Sequence, residues 1–193
     1  MNVFALCVAA LTAFYGLITL LKQRMSLFYQ IVVFGSWCYL LAVLYRVLYA
    51  IFIPNPAFHA GYLAYAGTFF FLLSAYFGRP QKGACAKGTT AWISAIPSLI
   101  ILIWGCQNIF RGYGLLPQLL LVPVLFTAYF ACKALLDKEE SSLRSYNAVV
   151  LALCLLQAMM LVAMLTRENT AIPVLLTSLL SAASVPLAHR GCK

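Results

Sequence analysis

Long apolar runs separated by short polar segments are the feature that most constrains this chain. Seven such runs follow one another along the 193 residues. Each approaches the roughly 20 residues that a helix needs to cross the hydrocarbon core of a bilayer. Hydrophobic residues make up 64% of the chain and charged residues 9%, whereas a soluble domain is about a quarter charged. The pattern predicts an all-α, polytopic integral membrane helical bundle, multi-pass in the cell membrane.

The predicted spans fill almost the whole chain, so we expect a single transmembrane domain, 1–193. Its helices are predicted at about 2–21, 27–53, 58–77, 90–110, 115–136, 145–166 and 170–188. Proline and glycine mark the breaks, as in Pro54 and Pro56 after the second span. The first run has no basic leader and is too long for the apolar region of a signal peptide, so we expect a retained span.

The distribution of Lys and Arg predicts the orientation of the bundle. Of 13 such residues, ten lie on one side of the predicted membrane, Arg111 and Arg167 lie on the other, and Arg46 lies within the second span. The ten are Lys22, Arg24, Arg79, Lys82, Lys87, Lys133, Lys138, Arg144, Arg190 and Lys193. Cytoplasmic loops carry the excess of basic residues, which predicts an N-terminus outside and a C-terminus in the cytoplasm. The same rule accounts for the net charge of +9 without nucleic acid as a partner.

Acidic residues are confined to the predicted loops. They are Asp137, Glu139, Glu140 and Glu168. Proton-coupled pumps usually rely on carboxylates inside the membrane, and a Ser/His/Asp hydrolase needs an acid that orients its histidine. The chain has two histidines, His59 and His189, which is too few for a zinc or iron site built from histidine and carboxylate ligands. We therefore expect no metal and no cofactor, and a binding protein is favoured over an enzyme.

Arg46 is the charged residue that lies away from the ends of a predicted span. A central Arg costs at least ~2.5 kcal/mol on insertion scales and is usually turned toward the protein interior. Three interpretations stay open. The side chain snorkels to the outer interface, it bonds structurally to helix carbonyls and tyrosines, or it binds a polar or anionic ligand.

The neighbours of Arg46 predict a polar patch near the outer end of the bundle. Spacings of three and four place Tyr39, Arg46 and Tyr49 on one side of the second helix. His59 and Tyr65 follow a short turn, so their helix must be an antiparallel neighbour of the second one. The predicted ligand site comprises Arg46, Tyr49, His59 and Tyr62. The alternative is an interfacial belt of aromatic residues, in which Tyr is common.

Small residues form a stripe on the seventh predicted span. Ser178, Ser181 and Ser184 recur every third residue, and small side chains allow close contact between membrane helices. Helix packing is the favoured interpretation, and a polar passage is the alternative. A small-residue face that stays exposed would serve a homo-oligomer equally well.

Seven helices with the N-terminus outside are the topology of several membrane families. Microbial rhodopsins hold retinal on a lysine of helix seven, and the span 170–188 contains no lysine. The layout is similar to that of the SWEET sugar facilitators, because helices one to three and five to seven both start outside, as parallel repeats require. The Pro117–Gln118 pair resembles the pair that names PQ-loop proteins, but it stands at the start of helix five, and helix one has no proline. The likeness covers topology alone, and no role is transferred to any residue.

These observations predict a small membrane protein that binds, and facilitates the passage of, a small polar or anionic solute. The lack of carboxylates in the predicted spans favours facilitated movement over proton coupling. The main alternative is a seven-helix receptor or sensor that signals through a cytoplasmic partner protein. A third is a lipid-acting enzyme that uses His59.

Overall fold

The computed structural model describes residues 2–52, 60–78, 88–110, 121–136, 142–165 and 171–192. Seven α-helices occupy this part of the chain: α1 (Asn2–Lys22), α2 (Leu27–Phe52), α3 (Ala60–Phe77), α4 (Gly88–Phe110), α5 (Leu121–Leu136), α6 (Arg144–Leu165) and α7 (Ala171–Gly191). Over these described ranges, the prediction of an all-α chain with seven helices is confirmed. The last helix runs three residues beyond its predicted end, since His189 and Arg190 in its final turn complement the helix dipole.

Four of the helices, α1, α2, α4 and α7, are long and apolar enough to cross a bilayer. The apolar stretches of α3, α5 and α6 are shorter. Large apolar side chains cover the outside of the bundle, such as Leu11 at 72% exposed, Trp92 at 77% and Ile172 at 67%. Apolar surface on this scale is unusual for a soluble monomer, so the bundle is compatible with a membrane location.

Six of the helices close into a ring in the order α1, α2, α3, α5, α6, α7, and α4 packs outside the ring against α5 and α6. Helix α2 also contacts α7. Successive helices run in opposite directions, so α1, α3, α5 and α7 all begin at one end of the bundle. We call this the N-terminal end and the opposite one the C-terminal end.

Helices α3 and α7 are buried at matching positions. In α3 these positions are Gly61, Tyr65, Thr68, Leu72 and Ala75. With the same spacing, α7 buries Val174, Ser178, Ser181, Val185 and Ala188. Because the two helices also run in the same direction, each occupies the equivalent place in its half of the ring.

The other two pairs of helices extend this correspondence. Thr12 in α1 and Thr127 in α5 are both buried, and each hydroxyl donates to the carbonyl four residues earlier, at Val8 and Pro123. Near its start, α2 carries Tyr-Gln-Ile-Val-Val from Tyr29, and α6 carries Tyr-Asn-Ala-Val-Val from Tyr146. The ring therefore consists of two halves of three helices each, α1–α3 and α5–α7, with α4 between them in the chain.

A buried hydrogen bond joins the two halves near the C-terminal end. The Tyr76 hydroxyl donates to Asn147 Oδ1 at 3.0 Å, and the Asn147 side chain is fully buried. Its Nδ2 atom has no hydrogen-bond partner. The contact is thus the sole side-chain hydrogen bond described for this amide, and it ties α3 to α6.

Tyr76→Phe is expected to lower the free energy of unfolding by roughly 1–2 kcal/mol, because it leaves the Asn147 carbonyl oxygen buried without a donor. The measurement is thermal melting of purified protein in detergent. Tyr45→Phe is the matched control, since Tyr45 is 40% exposed on the outside of α2 and should melt like the wild type. Equal melting of both variants would mean that the Tyr76–Asn147 bond contributes nothing to stability.

Candidate functional site

Arg46 lies in the last third of α2, close to the N-terminal end of the bundle, and is half-buried. Its Nη1 atom is 3.9 Å from Met160 Sδ in α6, a long and weak contact. The hydroxyls of Tyr39, Tyr62 and Tyr65 lie within electrostatic reach of the guanidinium. These contacts belong to a side chain that turns into the bundle between α2, α3 and α6.

Tyr39 forms the buried floor of this cluster. Its hydroxyl is 3.2 Å from Thr177 Oγ1 and 3.0 Å from Ser178 Oγ, both in α7. The two α7 hydroxyls also donate to the Val174 carbonyl. The ring of Tyr39 meets that of Tyr65 edge to face, with centroids 5.7 Å apart. Helices α2, α3 and α7 are thereby held together beneath Arg46, and the polar stripe of α7 faces the cluster.

A small cavity of about 10 Å³ lies beside the cluster, between α3, α5 and α6. Tyr62, Tyr65 and Gln157 line its polar part. The Tyr65 hydroxyl lies beside the Arg46 guanidinium without meeting the geometry of a hydrogen bond, and neither it nor Gln157 Oε1 has a hydrogen-bond partner. Each buried polar atom left in this state costs about 1–3 kcal/mol. Both residues lie on the wall of the cavity.

Two of the four predicted site residues, Arg46 and Tyr62, are brought together by the fold. Tyr49 lies on α2 three residues beyond Arg46 and is half-buried. His59 lies outside the described residues. The structure therefore describes three of the four predicted site residues, Arg46, Tyr49 and Tyr62.

Sequence reasoning missed the contribution of α6. Gln157 is an amide in the middle of an apolar run, and a polar residue at such a position is itself a signal that could have been followed. Met160 carries no comparable signal, because nothing in the sequence distinguishes it from other apolar residues of that helix. Tyr39 was placed on the Arg46 side of the second helix and Tyr65 near the outer end of the third, but neither was included in the predicted site.

The chemistry available in this cluster is hydrogen bonding and positive charge. A guanidinium, phenol hydroxyls and an amide bind solutes well, but they do not form the nucleophile and base pair of a hydrolase. Within the ranges given above, no three His, Cys, Asp or Glu side chains come close enough to share a metal ion. These groups can hydrogen-bond to a polar solute and can attract an anion.

Comparison with known protein families, curated proteins and solved structures finds no match for this chain.

Proposed function

We propose that this chain is a seven-span cell-membrane protein that binds a small polar or anionic solute at Arg46 and facilitates its passage across the bilayer. The observation that carries the proposal is the Arg46 guanidinium turned into an apolar bundle, beside the hydroxyls of Tyr39, Tyr62 and Tyr65. Holding a charge there is costly. A binding site in which the Arg46 charge holds the solute would account for that cost.

The residue types at the site favour an oxygen-rich solute. A guanidinium presents five donors in a planar fork that matches a carboxylate. Tyrosine hydroxyls can donate to or accept from the same molecule. In the low-dielectric interior each of these interactions is stronger than it is in water. A small carboxylate or a polar neutral solute fits this set of groups.

The position of the site supports passage as well as binding. Arg46 belongs to the first half of the bundle and meets Met160 of the second half, and Tyr39 in α2 binds Ser178 in α7. Transporters built from repeats keep their sites where the repeats meet and work by moving one against the other. A solute held between these two halves could be exposed to either side by such a movement.

The orientation is proposed from the basic residues. Lys22, Arg24, Arg144 and Arg190 all lie at the C-terminal end of the bundle. At the N-terminal end, Arg46 is the sole Lys or Arg among the described residues. The positive-inside rule then puts the C-terminal end in the cytoplasm and Arg46 in the outer half of the membrane.

Reporter fusions at successive loops test the seven spans. Alkaline phosphatase is expected to be active when fused after positions on the outer side, namely Asn55, Arg111 and Glu168. Green fluorescent protein is expected to fluoresce when fused after cytoplasmic positions, namely Lys82, Lys138 and Lys193. Active phosphatase after Lys193 would overturn the orientation, and loss of alternation at one loop would remove a span on either side of it.

Uptake into proteoliposomes tests the function. Purified protein is reconstituted, and entry of labelled glycolate, acetate, glycine and glycerol is compared with entry into protein-free liposomes. We expect at least one of these solutes to enter roughly tenfold faster, with saturation. Saturable binding without entry would favour the receptor alternative. Neither binding nor entry of any of them would count against the proposed function.

A further inference from the structure

We propose that the solute carries a hydroxyl or amino donor next to its carboxylate, and that this donor enters the cavity between Tyr65 and Gln157. The inference rests on the proposed function and names the class of solute that the Arg46 site takes. It predicts α-hydroxy or α-amino acids as ligands and simple carboxylates as poor ones.

The cavity has the size of one small polar group. Its volume of about 10 Å³ is at the lower limit of what a single water needs. Phe69, Leu121 and Val124 form its apolar walls, so any group that enters loses water on most sides. A hydroxyl or an amino group fits this space, whereas a second carboxylate does not.

The polar wall of the cavity lacks the donor that such a group supplies. The Gln157 side chain is 6% exposed and Tyr65 is 5% exposed, and Gln157 Oε1 and the Tyr65 hydroxyl are both without a hydrogen-bond partner. An amide oxygen can accept but cannot donate. A solute hydroxyl or ammonium group would donate to it, and the Tyr65 hydroxyl can either accept from the solute or donate to it.

Arg46 lies next to this wall. Tyr65 lines the cavity, and its hydroxyl is also beside the Arg46 guanidinium. A carboxylate on Arg46 and a donor on the adjacent carbon would therefore meet their partners at the same time. A solute with the carboxylate alone would leave Gln157 Oε1 unpaired, and sites with such unpaired groups reject the shorter analogue strongly.

The test uses acids that differ by one hydroxyl. Binding of glycolate and acetate, and of lactate and propionate, is measured by titration calorimetry on purified wild type and Gln157→Leu in detergent. In the wild type we expect the hydroxy acid of each pair to bind at least tenfold more tightly. In Gln157→Leu this preference should fall below threefold, because hydroxy acid binding weakens and simple acid binding does not change.

Gln30→Leu is the matched control. Gln30 is a half-buried amide at the opposite end of the bundle, where its Nε2 donates to the Met25 carbonyl, so its loss should leave the preference intact. Gln157→Leu should also melt at an equal or higher temperature than the wild type, since it removes an unpaired buried acceptor. If that variant fails to fold, Gln157→Met provides the same loss of the acceptor at nearly the same volume.

The outcomes separate this inference from the proposed function. Equal binding of both members of each pair to the wild type, or an unchanged preference in Gln157→Leu, would overturn the donor pocket and leave the Arg46 site standing. Failure of all four acids to bind the wild type would overturn the Arg46 site for carboxylates, and the donor pocket with it.

Discussion

Arg46→Gln is expected to weaken binding of glycolate roughly 100-fold, while the protein melts in detergent at the same temperature as the wild type or above it. Hydrogen bonds to charged groups contribute about 1.5–3 kcal/mol, and two of them in a bidentate pair account for this loss at 1.4 kcal/mol per factor of ten. Stability is preserved because the substitution also removes the cost of holding a charge inside an apolar bundle. Calorimetric titration gives the affinity, and melting followed by tryptophan fluorescence gives the stability.

Two variants calibrate this result. Arg46→Lys keeps the charge but loses the planar fork, so an intermediate loss of roughly tenfold is expected. Tyr45→Phe changes the adjacent residue, which faces outward, and should leave binding and melting unaltered. A fall in melting temperature of 10 °C or more in Arg46→Gln would identify Arg46 as a structural tie between α2 and α6. The proposed site would then lose its main support.

The helices could be predicted because the length and the apolar character of each segment identify it as a helix, without any information about the helices that pack against it. The run that begins at Leu27 was expected to end at 53, and the helix ends at Phe52. Uniformly apolar segments of this length need no partner to identify them as helices, since backbone groups in lipid have to bond within their own segment. The same uniformity hides which face of each helix is turned inward, because no polar stripe marks the other face.

The sequence therefore predicted only the part of the candidate site that lies on two helices adjacent in the chain, α2 and α3. Arg46 and Tyr62 were placed together because helix spacing and a short connection between neighbours are sufficient for that. Gln157 and Met160 depend on how α6 closes the ring against α2 and α3. Contacts between apolar helices depend on how closely their surfaces fit. That fit is a property of the assembled bundle and cannot be predicted from one helix alone.

The positions at which α3 and α7 are buried were hidden for the same reason. Tyr65 in α3 and Ser178 in α7 occupy equivalent buried positions, but they share neither size nor chemistry. What they share is that both are buried and that their helices run in the same direction, and the first of these properties depends on the assembled ring. The common direction of the two helices follows from the predicted alternation of helices, whereas their buried positions do not.

Gly16→Val is expected to lower the free energy of unfolding by about 3 kcal/mol or more, at the upper end of what overpacking a core costs. A Cβ atom at Gly16 would lie 2.9 Å from Val33 Cγ2 in α2 and 3.3 Å from Val185 Cγ1 in α7. Valine is stiff about χ1, so neither neighbour can turn away, and the helices themselves have to separate. Melting in detergent should fall by 10 °C or more.

Gly16→Ala and Gly67→Ala make the same chemical change at two places and decide whether the cause is local crowding. At Gly67 the added carbon would lie 3.4 Å from Cys38 Sγ, an ordinary contact. Alanine is favoured over glycine inside a helix by roughly 0.5–1 kcal/mol, so Gly67→Ala should be neutral or stabilising while Gly16→Ala destabilises. If all three variants melt like the wild type, α1 does not close the ring between α2 and α7. The contacts that hold the first half of the bundle against the second would then have to be made by other helices.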